Sequence, residues 1–163
     1  MSRFKSALIA ACAIPLGATA HAQAPQVERN VSMAMSQAII AGVLEQCSKD
    51  GYKVSVVVVD KAGVVAASLR GDGTNPHTME FARMKAYTSR TRGQTSLEFQ
   101  QAAATGDGML LRQIPGVVAI GGGVPIKVGT ETIGAVGVSG APGGDKDEVC
   151  AKAGIAKVVD SLK

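Results

Sequence analysis

Residues 116–140, GVVAIGGGVPIKVGTETIGAVGVSG, decide how this chain is read. Three short runs rich in Val and Ile, at 116–120, 124–128 and 132–140, have the length and composition of strands. The triplet Gly121-Gly122-Gly123 breaks the chain between the first two, and "VGTE" at 128–131 reads as a hairpin turn. Upstream, "YKVSVVVVD" (52–60) has the character of a buried strand. "DKAG" turns the chain, and "VVAASLR" (64–70) returns it. Five strands follow, the tight turns making them mainly antiparallel.

Helices fill the intervals. Val31, Ala34, Met35, Ala38, Ile39, Leu44 and Cys47 recur near helical spacing within 28–49, and Gly51 stops that helix. After "GDGTN", Asn75 reads as an N-cap and Pro76 as the first residue of a helix over about 76–91. Residues 95–113 read as a polar connection, a short helix and a loop. The chain closes with a helix over 145–162, whose acidic start (Asp145, Asp147, Glu148) suits the helix dipole. The expected fold class is α/β of the α+β kind: one domain, five strands in a mainly antiparallel sheet flanked by helices, in the order α-β-β-α-β-β-β-α.

The glycines fit no phosphate-binding motif. A P-loop needs Lys-Ser/Thr and then a helix, whereas Lys127 is followed by Val128 within a strand. No G-x-G-x-x-G stands between a strand and a helix. "GVSGA" around Ser139 approaches a nucleophile elbow, but its fifth position is Ala141, and one histidine would have to serve as base. No nucleophile and base pair is visible, so the sequence itself argues for no enzyme activity.

The first residues carry a different message. A basic start with Arg3 and Lys5, the apolar run "ALIAACAIPLGATA" and the small-x-small site Ala20-His21-Ala22 read as a signal peptide over 1–22. The expected product is a single domain over 23–163, periplasmic or secreted. Losing Arg3 and Lys5 takes the formal charge from +4 to +2, too weak to argue for nucleic acid or a membrane surface. Without Trp, and with few Phe and Tyr, the core must come from Val, Ile, Leu, Ala and Met. Such a thin core favours burial within a homo-oligomer. Cys47 and Cys150 remain after cleavage; in an oxidising compartment an even pair reads first as a disulfide, with two separately buried thiols as the alternative.

Cleavage also leaves one histidine, His77, where a glycine-rich turn becomes a helix. The positive end of a helix disfavours a cation, and neutral imidazole is the form that ligates a metal. The plain alternative is an exposed helix-start histidine with no task.

"GGGVPIKVGTETIGAVGVSGA" followed by "DKDEVCAKAG" resembles the HbpS/GlcG-like haem-binding family, and so do "VSVVVVDKAGVVAASLRGDG" and "ARMKAYTSRT" upstream. The resemblance covers nearly all of 23–163 in the same order. It implies a five-stranded antiparallel sheet with helices, homo-oligomers, and a haem or related tetrapyrrole ligand, a corrinoid in some members. An enzyme acting on a small organic acid is the other reading it suggests. With haem as the ligand, His77 becomes a candidate axial ligand and Glu80 its hydrogen-bond acceptor. Arg70 and Lys85 become candidate partners for propionates. Tyr87 or Thr88 would offer an oxygen to ferric iron. Met79 and Met84 fit core filling better than ligation, and Arg83 ordinary surface charge. No Glu-x-x-Glu occurs, so no iron-storage role is implied.

Overall fold

The computed structural model describes residues 24–163; the signal-peptide reading of 1–22 lies outside them. In chain order the elements are α1 (Met33–Lys49), β1 (Ser55–Val59), β2 (Val65–Arg70), α2 (Thr78–Arg92), α3 (Ser96–Ala102), a 3-10 segment (Gly106–Gln113), β3 (Gly123–Val128), β4 (Glu131–Ser139), α4 (Gly144–Ala156) and a last 3-10 turn (Val159–Leu162). The strands form one antiparallel sheet in the order β2-β1-β4-β3.

Among the described residues the sheet therefore has four strands, not five. Gly116 belongs to a turn, with φ +81°, and residues 117–120 join no strand; side chains take one N–H within the segment and one just after it. Val118 N–H donates to Thr88 Oγ1 at 2.9 Å and Gly121 N–H to Gln100 Oε1 at 3.0 Å. Val117 joins Phe99 and Ala103 in a small satellite cluster instead. A Val-rich run of strand length does not show where its hydrogen bonds go.

Helix boundaries also shift. Ser32, whose hydroxyl accepts from Met35 N–H, starts α1 five residues later than expected. Pro76 and Asn75 stay in the turn before α2, whose N-cap is His77. The last helix ends at Ala156 and gives way to the 3-10 turn.

Each face of the sheet is covered. On one side α1 and α4 pack over Val56, Val58, Ile126, Val136 and Val138, which form the main core. The Cys47–Cys150 disulfide ties these two helices together, its Cα atoms 5.5 Å apart. On the other side α2 covers Val57, Val59 and Ala135 with Ala82 and Ala86, a thin layer. β1 is buried on both faces, which is why four consecutive valines, Val56 to Val59, follow Ser55 with no alternation.

The α2 layer is thin because two glycines allow it. Gly123 and Gly137 are cross-strand partners. A Cβ on Gly137 would lie 2.0 Å from Ala82 O, and one on Gly123 2.1 Å from Lys85 O. The backbone of α2 thus rests directly on the sheet, which carries Lys85 to the end of β4.

Candidate functional site

The start of α2 is pinned by Thr78, which is fully buried. Its hydroxyl donates to Asn75 O at 2.8 Å and lies 2.8 Å from Ser55 Oγ on β1. This fastening leaves His77 at the N-cap, exposed, with a side chain that makes no cap hydrogen bond. The imidazole meets the Phe81 ring edge-on, centroids 5.5 Å apart.

Two turns further along α2, Lys85 turns inward. Its ammonium donates to Asp147 Oδ2 at 2.7 Å and to Val138 O at 3.0 Å. Asp147, in the first turn of α4, accepts Ala141 N–H on Oδ1 at 3.0 Å. Both side chains are only 3% exposed. Burial pushes the Asp147 carboxyl above its ordinary range, against the opposing pull of the Lys85 ammonium and the Ala141 N–H. The pair clamps α2, the end of β4 and α4 at one point.

A cavity of about 310 Å³ opens above this clamp. Lys85, Asp147 and Ser139 line it, with Gly143 and Gly144 at the start of α4, and His77, Phe81 and Ile120 also border it. A second hollow, about 250 Å³, includes Tyr52 and Lys53 and shares Asn75, Thr78 and Gly140 with the first.

Of the residues singled out from sequence, His77 and Lys85 come together here. The other candidates for haem contact, Arg70, Glu80, Tyr87 and Thr88, do not line this cavity. Glu80 forms a two-point pair with Arg83, at 3.0 and 2.7 Å, which lowers its carboxyl, so the arginine rather than the imidazole is its partner. Arg70 folds onto its own loop, binding the hydroxyl and carbonyl of Thr74. Tyr87 packs beside the Phe99 cluster and lies against Gly63 and Gly116. Thr88 is buried, its hydroxyl committed to Met84 O at 2.8 Å and to Val118. Met79 packs on the α2 core.

Asp147, Ser139, Phe81 and Ile120 belong to the site without having been assigned to it from sequence. Asp147 was legible only as one of several acids at a helix start. No spacing rule links it to a lysine 62 positions earlier. Ser139 and His77 border one cavity, yet no hydrogen bond joins them, and Ser139 ends a strand that leads into a loop rather than directly into a helix. A nucleophile elbow is not formed. Among the described residues no group of three or more His, Cys, Asp or Glu is placed to hold a bare metal ion, and no helix is long and apolar enough to cross a membrane.

A layered α+β domain with a small, polar-floored cavity is the frame of a ligand-binding protein. Residues 31–156 match the family described as haem degrading protein HbpS-like, and the chain belongs to that family. It is 32% identical to Protein GlcG of Escherichia coli over 109 residues, 67% of this chain and 81% of that protein. Its fold matches a double mutant of Streptomyces reticuli HbpS with a TM-score of 0.77 at 32% identity, covering 87% of this chain and 97% of that one. With PduOC, solved as a haem complex, the likeness is one of fold: TM-score 0.71 at 23% identity, covering 78% and 94% of the two chains.

Proposed function

We propose that this protein binds haem, with His77 as axial ligand at the mouth of the cavity. The observation that carries the proposal is an exposed imidazole whose side chain makes no cap hydrogen bond, standing beside Phe81 and the part-exposed Ile120. An imidazole ligand flanked by apolar side chains suits a haem iron and its macrocycle. When bound, the group supplies an iron centre; the chain's own part is to hold it and to limit access to one face. The cavity lies at the lower end of the volumes that enclose drug-sized ligands, about 300–1,000 Å³. A tetrapyrrole would therefore lie across the mouth, extending towards the hollow beside Lys53, rather than sink into the floor. The relatives named HbpS and PduOC:haem lend this reading its prior.

The protein works outside the cytoplasm as a homo-oligomer in haem uptake, buffering or sensing. The signal-like first 22 residues and the disulfide support export. The outer edge of β2 supports assembly: Val64, Val65 and Leu69 are exposed there, beside an apolar groove lined by Met33, Ile40 and Leu44 of α1 and by Ala67.

Titration with haemin tests the central claim. A saturable shift of the Soret band, lost in His77→Ala, is the expected result. Retained binding and an unchanged spectrum in that variant would remove His77 as the ligand, and no saturable shift in the protein itself would remove haem.

A further inference from the structure

We propose that the floor of the cavity, formed by Lys85, Ser139 and the start of α4, is a receptor for the carboxylate of a small organic acid. The inference does not rest on haem binding. It follows from which hydrogen-bonding capacity at the floor is already used.

An ammonium has three donors. Lys85 spends two, on Asp147 Oδ2 and Val138 O, and it lines the cavity. Ser139 is 94% buried, lines the same space, and its hydroxyl has no hydrogen-bond partner among the described residues. Gly143, the N-cap of the 13-residue helix α4, brings no side chain to cap the first turn, and Gly144 borders the cavity. The unspent N–H groups of a helix start are donors at its positive end. On the acceptor side, both Asp147 oxygens are engaged, by Lys85 and by Ala141 N–H. The floor thus offers donors, and an acceptor-only group complements it: a carboxylate. Because Lys85 matches the charge of Asp147, the surplus donors decide the preference. Asp145, in the same first turn, is the carboxylate that opposes an anion there.

The volume limits the ligand to a small acid, or to one propionate arm of a tetrapyrrole lying across the mouth. Sodium propanoate is a probe for both. The protein, labelled with ¹⁵N, is titrated with sodium propanoate and, separately, with sodium chloride at the same ionic strength. Saturable amide shifts at Ala141, Gly143 and Gly144 with propanoate alone are expected. Ser139→Ala weakens binding about tenfold, the loss of one hydrogen bond to a charged group. It leaves the melting temperature unchanged, because the hydroxyl has no partner within the protein. Asp145→Asn tightens binding. Shifts equal to those with chloride, or undiminished affinity in Ser139→Ala, overturn the proposal. Titrating haemin against its dimethyl ester then separates the sources. Equal binding of the two assigns the floor to a free acid, and a weaker ester, with propanoate competing against haemin, assigns it to the propionate.

Discussion

Replacing Lys85 by methionine keeps the unbranched side chain, shorter by its terminal atom, and removes the ammonium from a pair whose members are each 3% exposed. Asp147 then keeps only Ala141 N–H and faces the low-dielectric interior without a counter-charge. Breaking a buried pair from one side costs about 3–5 kcal/mol, far more than an exposed ion pair contributes. Adding Asp147→Asn to Lys85→Met removes the stranded charge while leaving an oxygen to accept from Ala141. The double variant should therefore regain a large part of the loss, with a coupling energy of about 1.5 kcal/mol or more. Urea unfolding of the four proteins of this cycle is the assay. The pH dependence supplies a second reading. Asp147 already has its carboxyl raised by burial, and losing Lys85 raises it further. A raised folded-state value means that the ionised form costs stability above that value, and the cost is relieved as pH falls through it. The gap between Lys85→Met and the unmodified protein should therefore narrow as pH falls towards the ordinary carboxylate range. Single-variant losses that simply add to within about 0.5 kcal/mol, or a gap that widens with falling pH, would refute the reasoning.

Removing the disulfide with Cys47→Ala and Cys150→Ala frees a loop of 103 positions, a loss of up to about 4.7 kcal/mol from chain entropy and roughly 10–20 °C in Tm; a change below about 3 °C would show that the α1–α4 core carries the fold without the bridge. Gly137→Ala places a methyl against Ala82 O and forces α2 off the sheet, costing about 3 kcal/mol, at the upper end for overpacking, because backbone lies on both sides. It should also weaken ligand binding, since α2 carries both His77 and Lys85; calorimetry with a haemin titration checks the two effects together. Glu45, held to about 2 by Lys157 and Lys49, links α1 to α4. A depressed carboxyl contributes stability that is complete above its unfolded value and is lost as pH falls through its folded one. Glu45→Gln should therefore flatten the acid limb of the stability profile below about pH 4.5, and an unchanged limb would show the exposed pair to be idle.

The sequence by itself determined the elements whose signal is local. β1 was legible because a strand covered on both faces needs an unbroken β-branched run, and the β3–β4 hairpin because a short polar turn links two such runs. The disulfide followed from the number of cysteines and the leader-like start, before any geometry was known. His77 at a helix start was visible from the turn residues before it. Tertiary structure decided the rest. Residues 116–120 have a strand's composition, but Thr88 holds the Val118 N–H and Gln100 that of the adjoining Gly121, and nothing in the segment itself announces side-chain partners from elsewhere in the chain. Lys85 and Asp147 meet only because Gly123 and Gly137 let α2 lie against the sheet backbone and bring it to the end of β4. Hydrophobic periodicity reports which face of an element is buried. It carries no information about which buried charge will find another 62 positions away, and that is set by packing depth.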